Sequence, residues 1–364
     1  MMRIFRFVTF FLAAALLVGA CAAPATPTVP ATQTPQPPQS GPVTLTVMTH
    51  DSFAASKEVI ASFEQQNNVK LSFLKSGDAG AALNRAILSK DSPLADVFYG
   101  VDNTFLSRAL AAGIYEPYAS PLLSSIPAEF KLDLQNRALP VDFGDVCINY
   151  DKAYFAQKNL VLPQTLEDLA KPGYRGMLVT ENPATSSTGL VFLLATIAHF
   201  GENGYLDYWK SLHDNGVVVV DGWETAYYTN FSGSSGKGAQ PLVVSYNSSP
   251  AAEVVYATTP IDQPPTGSIL GKDTCFRQVE FVGILKGTKQ LVLAEKFVDF
   301  MLGVKFQEDM PLQMFVYPTN SQAKLPEVFT KFAQLPPEPA RLDPAVISKN
   351  RDAWIKAWSE VVLK

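Results

Sequence analysis

The sequence has little of what a metal enzyme or a nucleic-acid-binding protein needs. Its 364 residues include three cysteines and three histidines, and neither a CxxC nor an HExxH motif occurs, so we expect no zinc site. Lysine and arginine number 29 against 34 aspartate and glutamate residues. No basic excess is therefore available to neutralise a phosphate backbone, and we expect no nucleic-acid partner and no metal cofactor.

Common enzyme motifs are also missing. The sequence contains no G-x-S-x-G nucleophile elbow. The segment FSGSSGKGAQ (231–240) is similar to a phosphate-binding loop, but Phe231 stands where the first glycine is required, and Gly238 where a Ser or Thr would contact magnesium. We interpret this segment as a surface loop and expect a binding protein, not an enzyme.

The N-terminus has the pattern of an exported, tethered protein. Arg3 and Arg6 precede the apolar run FVTFFLAAALLVGA, which is too short for a comfortable membrane span and predicts a signal peptide over residues 1–20. The stretch VGAC resembles a bacterial lipobox and predicts a lipid on Cys21; the alternative is an ordinary cleavage site followed by an incidental cysteine. Residues 21–42 are rich in Pro and Thr and uncharged, which is typical of an extended tether. We expect an extracytoplasmic protein, lipid-anchored to the cell membrane in the periplasm or on the outer cell surface.

Strand and helix patterns alternate from residue 43 onward, which favours an α/β fold with mainly parallel sheets and, at this length, two lobes. The segment ALPVDFGDVCINYD (138–151) is long for one strand, and Gly144 predicts a weak point or a bend. The segment LAEKFVDFMLGVKFQEDM (293–310) predicts one amphipathic helix. Cys147 and Cys275 could form a disulfide in an oxidising compartment or remain two buried thiols.

Six predicted strands end in small polar or aromatic residues just before a helix, in the segments THDSF, KSGDAG, GVDN, PATSSTG, DGWE and SYNSSP. Ligands of open α/β sheets bind at such strand ends, where helix N-termini offer free N–H groups, so the segments predict a polar cleft. Helix capping alone would explain Asp78 and Ser186, whereas for Asp51 a capping role and a ligand-binding role are both open. Capping does not explain Trp223, although an indole there could also pack inside a lobe. Aromatic residues beside carboxylates suit a cationic aromatic ligand.

Seven segments, in the same order, resemble the thiamine-binding solute-binding proteins of bacterial ABC importers. The resemblance covers nearly all of residues 43–364 and implies a two-lobed periplasmic-binding-protein fold of type II, with crossing strands as the hinge and the ligand cleft between the lobes. Lobe 1 would begin with residues 43–142, lobe 2 would comprise 143–280, and 281–364 would return to lobe 1. The segments are LTVMTHDSFAAS, ADVFYGVDN, VDFGDVCINYDK, ENPATSSTGL, DGWETAY, VVSYNSSPA and FVYPTN.

The resemblance also implies a ligand and its contacts. The ligand is thiamine, thiamine monophosphate or thiamine diphosphate, and the protein, expected to be a monomer without a cofactor, would deliver it to the membrane permease of an ABC importer. By motif, Trp223 and Tyr246 would line the ring system. The tail would be surrounded by Asp78, Ser186 and Ser187, and Asp51 or Asp102 would add negative potential for the thiazolium. The remaining implied contacts are Ala79, Asn247, Ser248 and Ser249.

Three positions depart from the family pattern. His50 and Ala252 stand where family members have Tyr, and Phe315 stands where they have Trp. Because a tryptophan face is the strongest cation–π partner, we expect weaker thiamine binding or a preference for a related ligand. An alternative within the fold is a ferric-ion-binding protein, whose members use adjacent tyrosines where this chain has Tyr246 and Asn247. An alternative from another class is an extracytoplasmic hydrolase of a phosphorylated cofactor, which would need a nucleophile or a metal cluster.

Overall fold

The computed structural model describes residues 42–234 and 237–364. The predicted signal peptide, Cys21 and the tether up to residue 41 lie outside these ranges. No helix in the described part of the chain is long and apolar enough to cross a membrane. The strands in these ranges are β1 (Val43–Thr49), β2 (Val69–Lys75), β3 (Val97–Asp102), β4 (Tyr115–Glu116), β5 (Leu139–Asp151), β6 (Leu178–Glu181), β7 (Val218–Val220), β8 (Leu242–Tyr246), β9 (Thr266–Ile269), β10 (Phe276–Leu285) and β11 (Tyr317–Pro318).

Helices alternate with these strands. The α-helices are α1 (Lys57–Asn67), α2 (Ala79–Leu88), α3 (Leu106–Ala112), α4 (Lys152–Lys158), α5 (Leu166–Leu169), α6 (Ser187–Asp214), α7 (Ser249–Val255), α8 (Leu291–Leu302), α9 (Val304–Gln313), α10 (Glu327–Phe332) and α11 (Pro344–Val362). Short 3-10 turns span Pro121–Ser125, Ala128–Phe130 and Pro172–Tyr174, and a π-helical turn spans Thr225–Asn230.

Local signals set several helix ends. The Ser56 hydroxyl accepts from the backbone N–H of Val59 at 3.3 Å and caps α1. As the sequence predicted, Asp78 caps α2. Gly113, with a φ of +67°, ends α3 in the left-handed region that glycine adopts without strain.

One mixed sheet runs through the described chain in the order β2-β1-β3-β10-β5-β8-β6-β7. At one end β1 pairs in parallel with β2 and β3, and at the other end β6 pairs in parallel with β7 and β8. Between them β10 and β5 are antiparallel and link the two parallel units. This arrangement, with two long strands shared by both halves, is the predicted two-lobed α/β fold. The predicted lobe limits at 142/143 and 280/281 fall inside β5 and β10.

The long segment around Gly144 forms one continuous strand, β5, of 13 residues. The prediction of a weak point at Gly144 was wrong in its position, because the register of the β5–β10 pair shifts between Glu280 and Phe281, opposite Asp142 and Pro140. Gly144 has a different role: a Cβ atom there would lie 2.7 Å from Cδ1 of Tyr246. The glycine therefore makes room for the Tyr246 ring beside the strand.

The single helix predicted over 293–310 is two helices, so that prediction was wrong. Gly303 has an extended backbone (φ −73°, ψ 148°) and separates α8 from α9. Glycine is a poor helix former, and the break redirects the chain so that Phe306 and Met310 are buried on α9 as Phe297 and Met301 are on α8. The amphipathic pattern continues across the break and does not reveal it.

The alternatives left open for the two remaining cysteines are resolved. Cys147 on β5 and Cys275, next to the start of β10, form a disulfide with a sequence separation of 128 residues. The bond joins the two shared strands directly. Stable disulfides are typical of oxidising compartments, which fits a protein that acts outside the cytoplasm.

Candidate functional site

A cleft of about 450 Å³ lies where the two halves of the sheet meet, a volume suited to a small organic ligand. Its walls come from the segments after β1, β2, β7 and β8, from the N-termini of α2 and α6, from β10 and from the residues before β11. Most of its large side chains are aromatic: Phe53, Trp223, Tyr227, Tyr228, Tyr246, Tyr256 and Phe315. Its ionisable groups are mainly carboxylates, Asp78, Glu224, Glu253 and Glu280, beside Lys75 and His50.

Trp223 is held rigidly in this cleft. Its backbone N–H donates to Oδ2 of Asp78 at 2.9 Å, and its indole Nε1 donates to Oγ of Ser245 at 2.9 Å. Its ring stacks on Tyr227, with centroids 5.1 Å apart and an interplanar angle of 18°. Because these contacts fix the indole, it offers a stacking surface at little cost in side-chain entropy.

Asp78 connects three segments that border the cleft. Its Oδ1 accepts from the backbone N–H of Ala79 at 2.6 Å, and the N–H of Ser187 at the start of α6 lies 3.4 Å from the same atom. Its Oδ2 accepts from the N–H of Trp223. The N–H groups of Ala79, Ser187 and Trp223 thus meet at one carboxylate, which belongs to a residue predicted to surround the tail of a ligand.

A cluster of buried polar groups forms the floor of the cleft. Nε2 of His50 lies 3.4 Å from Oε1 of Glu280. Glu280 is the β-sheet partner of Asp142. The Tyr99 hydroxyl donates to Oδ2 of Asp142 at 2.6 Å and lies 3.1 Å from Oε2 of Glu280. The floor therefore holds two carboxyl groups and one imidazole side by side.

The charges of this floor are unequal. Burial lowers the pKa of His50, but Glu280, with smaller contributions from Asp78 and Asp51, outweighs this effect and raises the pKa above its ordinary value. Burial raises the pKa of Glu280, but His50, together with the hydrogen bonds of Asp142 and Tyr99, outweighs this effect and lowers the pKa below its ordinary value. Burial, together with Glu280, raises the pKa of Asp142 well above its ordinary range. The protonated form of Asp142 is therefore favoured, and His50 and Glu280 form an ion pair beside the cleft when His50 is protonated.

The structure places eight of the predicted site residues on the wall of the cleft. These residues come from both halves of the sheet, from segments far apart in sequence, and they surround one cavity. They are His50, Asp78, Ala79, Ser187, Trp223, Tyr246, Ser249 and Phe315.

Two of the other predicted residues lie behind the N-terminus of α6. Asp102 is fully buried and accepts hydrogen bonds from the Ser187 hydroxyl and, at 2.9 Å, from Nε2 of Gln278. Burial raises its pKa. Ser186 is fully buried at the N-cap of α6, and its hydroxyl lies 3.0 Å from Oγ1 of Thr188. Both residues support the wall without lining it.

The remaining three predicted residues hold neighbouring segments in place. Asp51 accepts from the N–H of Gly77 at 2.9 Å and borders a smaller cavity next to the cleft. The buried amide of Asn247 donates to the Tyr317 hydroxyl at 2.9 Å, and the Ser248 hydroxyl donates to the carbonyl oxygen of Phe315. Asn247 and Ser248 therefore connect the start of α7 to the segment that carries Phe315.

Sequence reasoning missed three carboxylates that line the cleft, Glu224, Glu253 and Glu280. Glu280 stands within the otherwise apolar strand segment VEFVGIL, and a lone carboxylate in a buried strand is a signal that could have identified it. Glu253 directly follows Ala252, which is one of the three positions that depart from the family pattern. No feature of the neighbouring sequence distinguishes Glu253 from an ordinary exposed helix residue.

His, Cys, Asp and Glu side chains do not cluster as a metal site in the ranges that the structure describes. No group of three or more His, Cys, Asp or Glu side chains there is placed to hold a metal ion. The Tyr246 hydroxyl donates to Oε1 of Gln278 at 2.6 Å, and the neighbouring Asn247 is engaged with Tyr317. The adjacent tyrosine pair that the ferric alternative requires is thus replaced by a structural amide.

Comparisons with known proteins identify a family for this chain. Residues 92–335 match the family model of bacterial extracellular solute-binding proteins. The chain is 30% identical over 323 residues to the thiamine-binding periplasmic protein of Escherichia coli, covering 87% of this chain and 93% of that protein. It is 29% identical over 324 residues to the protein of the same name from Brucella suis, covering 86% of this chain and 91% of that protein.

Solved structures show the same likeness. A periplasmic thiamin binding protein matches with a TM-score of 0.78 and 28% identity, covering 88% of this chain and 96% of that one. A ferric binding protein from Campylobacter jejuni matches with a TM-score of 0.70 at 22% identity, covering 87% and 99%. At that identity the second likeness shows a shared fold alone.

Proposed function

Because the chain belongs to the bacterial extracellular solute-binding proteins, in the group that includes the thiamine-binding periplasmic proteins, we propose that it captures thiamine outside the cytoplasm and delivers it to the permease of an ABC importer. The observation that carries this proposal is the cleft itself, where aromatic rings and carboxyl groups line one cavity between the two halves of the fold. Thiamine is a cation with two aromatic rings. Stacking, cation–π contact and carboxylate charge are the interactions that hold such a ligand.

The floor and walls suggest how the ligand is oriented. The thiazolium ring would lie near Glu280, whose lowered pKa keeps it charged. Trp223 and Tyr246, whose ring centroids are 6.3 Å apart at an angle of 62°, would contact the ring system. The hydroxyethyl tail would point to the N-termini of α2 and α6, near Asp78 and Ser187. Glu280 thus takes the electrostatic role that the sequence assigned to Asp51 or Asp102.

The proposal includes thiamine monophosphate and thiamine diphosphate. The three compounds share their rings and differ in the tail, and helix N-termini bind phosphate readily. Lys75 lines the cleft and its Nζ donates to the carbonyl oxygen of Asp51 at 2.5 Å. A phosphate would compete with Asp78 for the N–H groups of Ala79 and Trp223. The length of the tail is therefore the feature on which the three affinities depend.

Titration calorimetry of the purified, ligand-stripped protein tests the ligand assignment. Thiamine, its two phosphates and ferric citrate are titrated separately, and we expect saturable one-to-one binding of at least one thiamine form. Trp223→Ala should weaken that binding at least tenfold, because the indole is a pre-positioned contact surface. Substitutions within residues 22–42 serve as the control and should leave the affinity unchanged. No heat of binding with any thiamine form would overturn the assignment.

We further propose that the protein is anchored by a lipid on Cys21, as the VGAC motif indicates. Several acyl chains hold a protein in a membrane far more firmly than one chain does. In a bacterial host, the full-length protein should fractionate with membranes and carry a mass increase on its N-terminal peptide. Cys21→Ser should be found in the soluble fraction. A wild-type protein without a lipid adduct would contradict this part of the proposal.

A further inference from the structure

One end of the cleft is an aromatic recess around an acidic side chain on α7. We define this recess as the α7 alcove, and its members all line the cleft. The Tyr256 ring packs edge-on against Phe315 with centroids 5.2 Å apart, and the Tyr227 and Tyr228 rings meet at 5.4 Å and 86°. The members are Tyr227, Tyr228, Ala252, Glu253, Tyr256 and Phe315.

Glu253 has a phenol as its partner in this alcove. The Tyr227 hydroxyl donates to Oε1 of Glu253 at 2.8 Å. Among the described residues no cation pairs with Glu253, and burial raises the pKa of its carboxyl group. A carboxyl group in an aromatic surrounding without a counter-ion is available to a ligand that supplies matching hydrogen bonds.

The bond from Tyr227 makes the two oxygens of Glu253 unequal. Oε1 is already an acceptor, so the proton of a neutral carboxyl group resides on Oε2. The group then presents an acceptor at Oε1 and a donor at Oε2, side by side in one plane. A 4-aminopyrimidine ring presents the complementary pair, an amino donor and an adjacent ring-nitrogen acceptor.

The small side chain of Ala252, which lines the cleft, provides space for this pairing. Ala252 places only a methyl group next to Glu253 on α7. Tyr256, one helical turn after Ala252, places its ring against Phe315 and keeps an aromatic wall in the alcove. We propose that Glu253 determines specificity by pairing with the 4-amino group and the adjacent ring nitrogen of the ligand's pyrimidine ring. This inference rests on the proposed function and assigns the aminopyrimidine end of thiamine to the α7 alcove.

Oxythiamine, which carries a 4-oxo group and a ring N–H instead, provides the test. In the same pose it would place an acceptor against Oε1 and a donor against Oε2. The wild-type protein should bind thiamine at least tenfold more tightly than oxythiamine. Glu253→Ala should lose most of this preference and weaken thiamine binding by at least tenfold. Glu253→Gln should retain thiamine binding within about threefold, because its amide keeps an acceptor and a donor in the same plane.

Controls separate the possible outcomes. Glu360→Ala on α11 removes an exposed carboxylate and should leave the thiamine to oxythiamine ratio unchanged, and circular dichroism checks that each variant is folded. If the wild-type protein binds thiamine and Glu253→Ala keeps the wild-type ratio, the inference is overturned while the proposed function stands. If Glu253→Ala does not fold, equal wild-type affinities for the two compounds overturn it. If the wild-type protein binds no thiamine form, both the proposed function and this inference are overturned.

Discussion

A protonated His50 is a cation next to Glu280, the carboxylate that would face a cationic ligand. When His50 is protonated it neutralises Glu280, 3.4 Å away, and repels a thiazolium ring. Because its pKa lies above the ordinary value of 6.5, His50 loses its proton as the pH rises beyond that value, and a thiazolium ring can then take its place as the cation beside Glu280. Asp51 and Asp78 also face His50 and favour its charged form.

We therefore predict that thiamine binding strengthens between about pH 6 and pH 9, by roughly tenfold, the factor that corresponds to 1.4 kcal/mol. Calorimetric dissociation constants at several pH values measure this effect. His50→Gln keeps a side chain of similar size without a titrating proton, so its affinity should vary much less over the same range. A wild-type affinity that is independent of pH, or one that weakens as the pH rises, would show that His50 does not control the charge of the floor.

At the scale of single residues, the sequence predicted those residues whose roles follow from the local pattern. Asp78 stands between a strand and a helix and caps that helix, and Trp223 follows a strand end and lines the cleft. The sequence could not predict that Asn247 bonds to Tyr317, 70 positions away, because such a contact depends on how the halves pack. Glu280 and Glu253 were missed for the same reason. One lies in a strand and one in a helix, and burial rather than spacing gives them their roles.

At the scale of elements, the Cys147–Cys275 disulfide joins the two strands on which both halves depend. Replacing both cysteines with serine should lower the free energy of unfolding by about 2–4 kcal/mol, mainly because the long closed loop restricts the unfolded chain. Denaturant titration of the two proteins measures the difference. Reducing agent should destabilise the wild-type protein by a similar amount and leave the double variant unaffected. Equal stability of oxidised and reduced wild-type protein would contradict the prediction.

A second element-scale contact joins α5, α6 and the segment before β10. Nε2 of His199 on α6 lies 2.8 Å from Oε1 of Glu167, and Nδ1 lies 3.0 Å from Oδ2 of Asp273. Burial lowers the pKa of His199, but the two carboxylates outweigh it and raise the pKa above 6.5. The protonated form therefore stabilises the fold, fully below pH 6.5, and this stabilisation is lost as the pH rises through the raised pKa.

We predict that His199→Gln flattens the fall in melting temperature between pH 6 and pH 9. The remaining slope comes from other groups, including His50, whose pKa is also raised. Differential scanning calorimetry of the wild-type and variant proteins across this range gives the difference between the two slopes. His213→Gln, in which an exposed histidine on the same helix is replaced, is the matched control and should behave like the wild-type protein. Parallel curves for wild-type and His199→Gln would contradict the prediction.

At the scale of the whole molecule, the sequence predicted the fold from the order of its strands and helices. Its errors concerned whether a single strand or helix is continuous or interrupted. Neither the unbroken β5 nor the break at Gly303 could be predicted from periodicity, because pairing with β10 and the burial of Phe306 decide them. The same limit applies to the cleft. Its two sides come from segments on different halves, and only the packed structure shows which of them meet.

Asp78 is the residue through which these segments meet most directly. Besides its own bonds to Ser187 and Trp223, it begins the helix whose Gly80 N–H donates to the carbonyl oxygen of Thr185 at 3.0 Å. These bonds connect the N-terminus of α2 with segments of the other half and favour a closed cleft. In a two-lobed binding protein, closure is a population shift, and the apparent affinity falls in proportion to the closed fraction.

Asp78→Ala should therefore increase the radius of gyration of the ligand-free protein and weaken thiamine binding, both by favouring the open form. Asp78→Asn keeps one strong acceptor, so it can still cap α2 but cannot serve all three N–H groups, and it should be intermediate. Small-angle scattering gives the radius of gyration, and calorimetry gives the affinity. Asp91→Ala, which removes an exposed carboxylate after α2, should match the wild-type protein in both. If Asp78→Ala scatters like the wild-type protein and binds thiamine equally well, closure does not depend on this carboxylate.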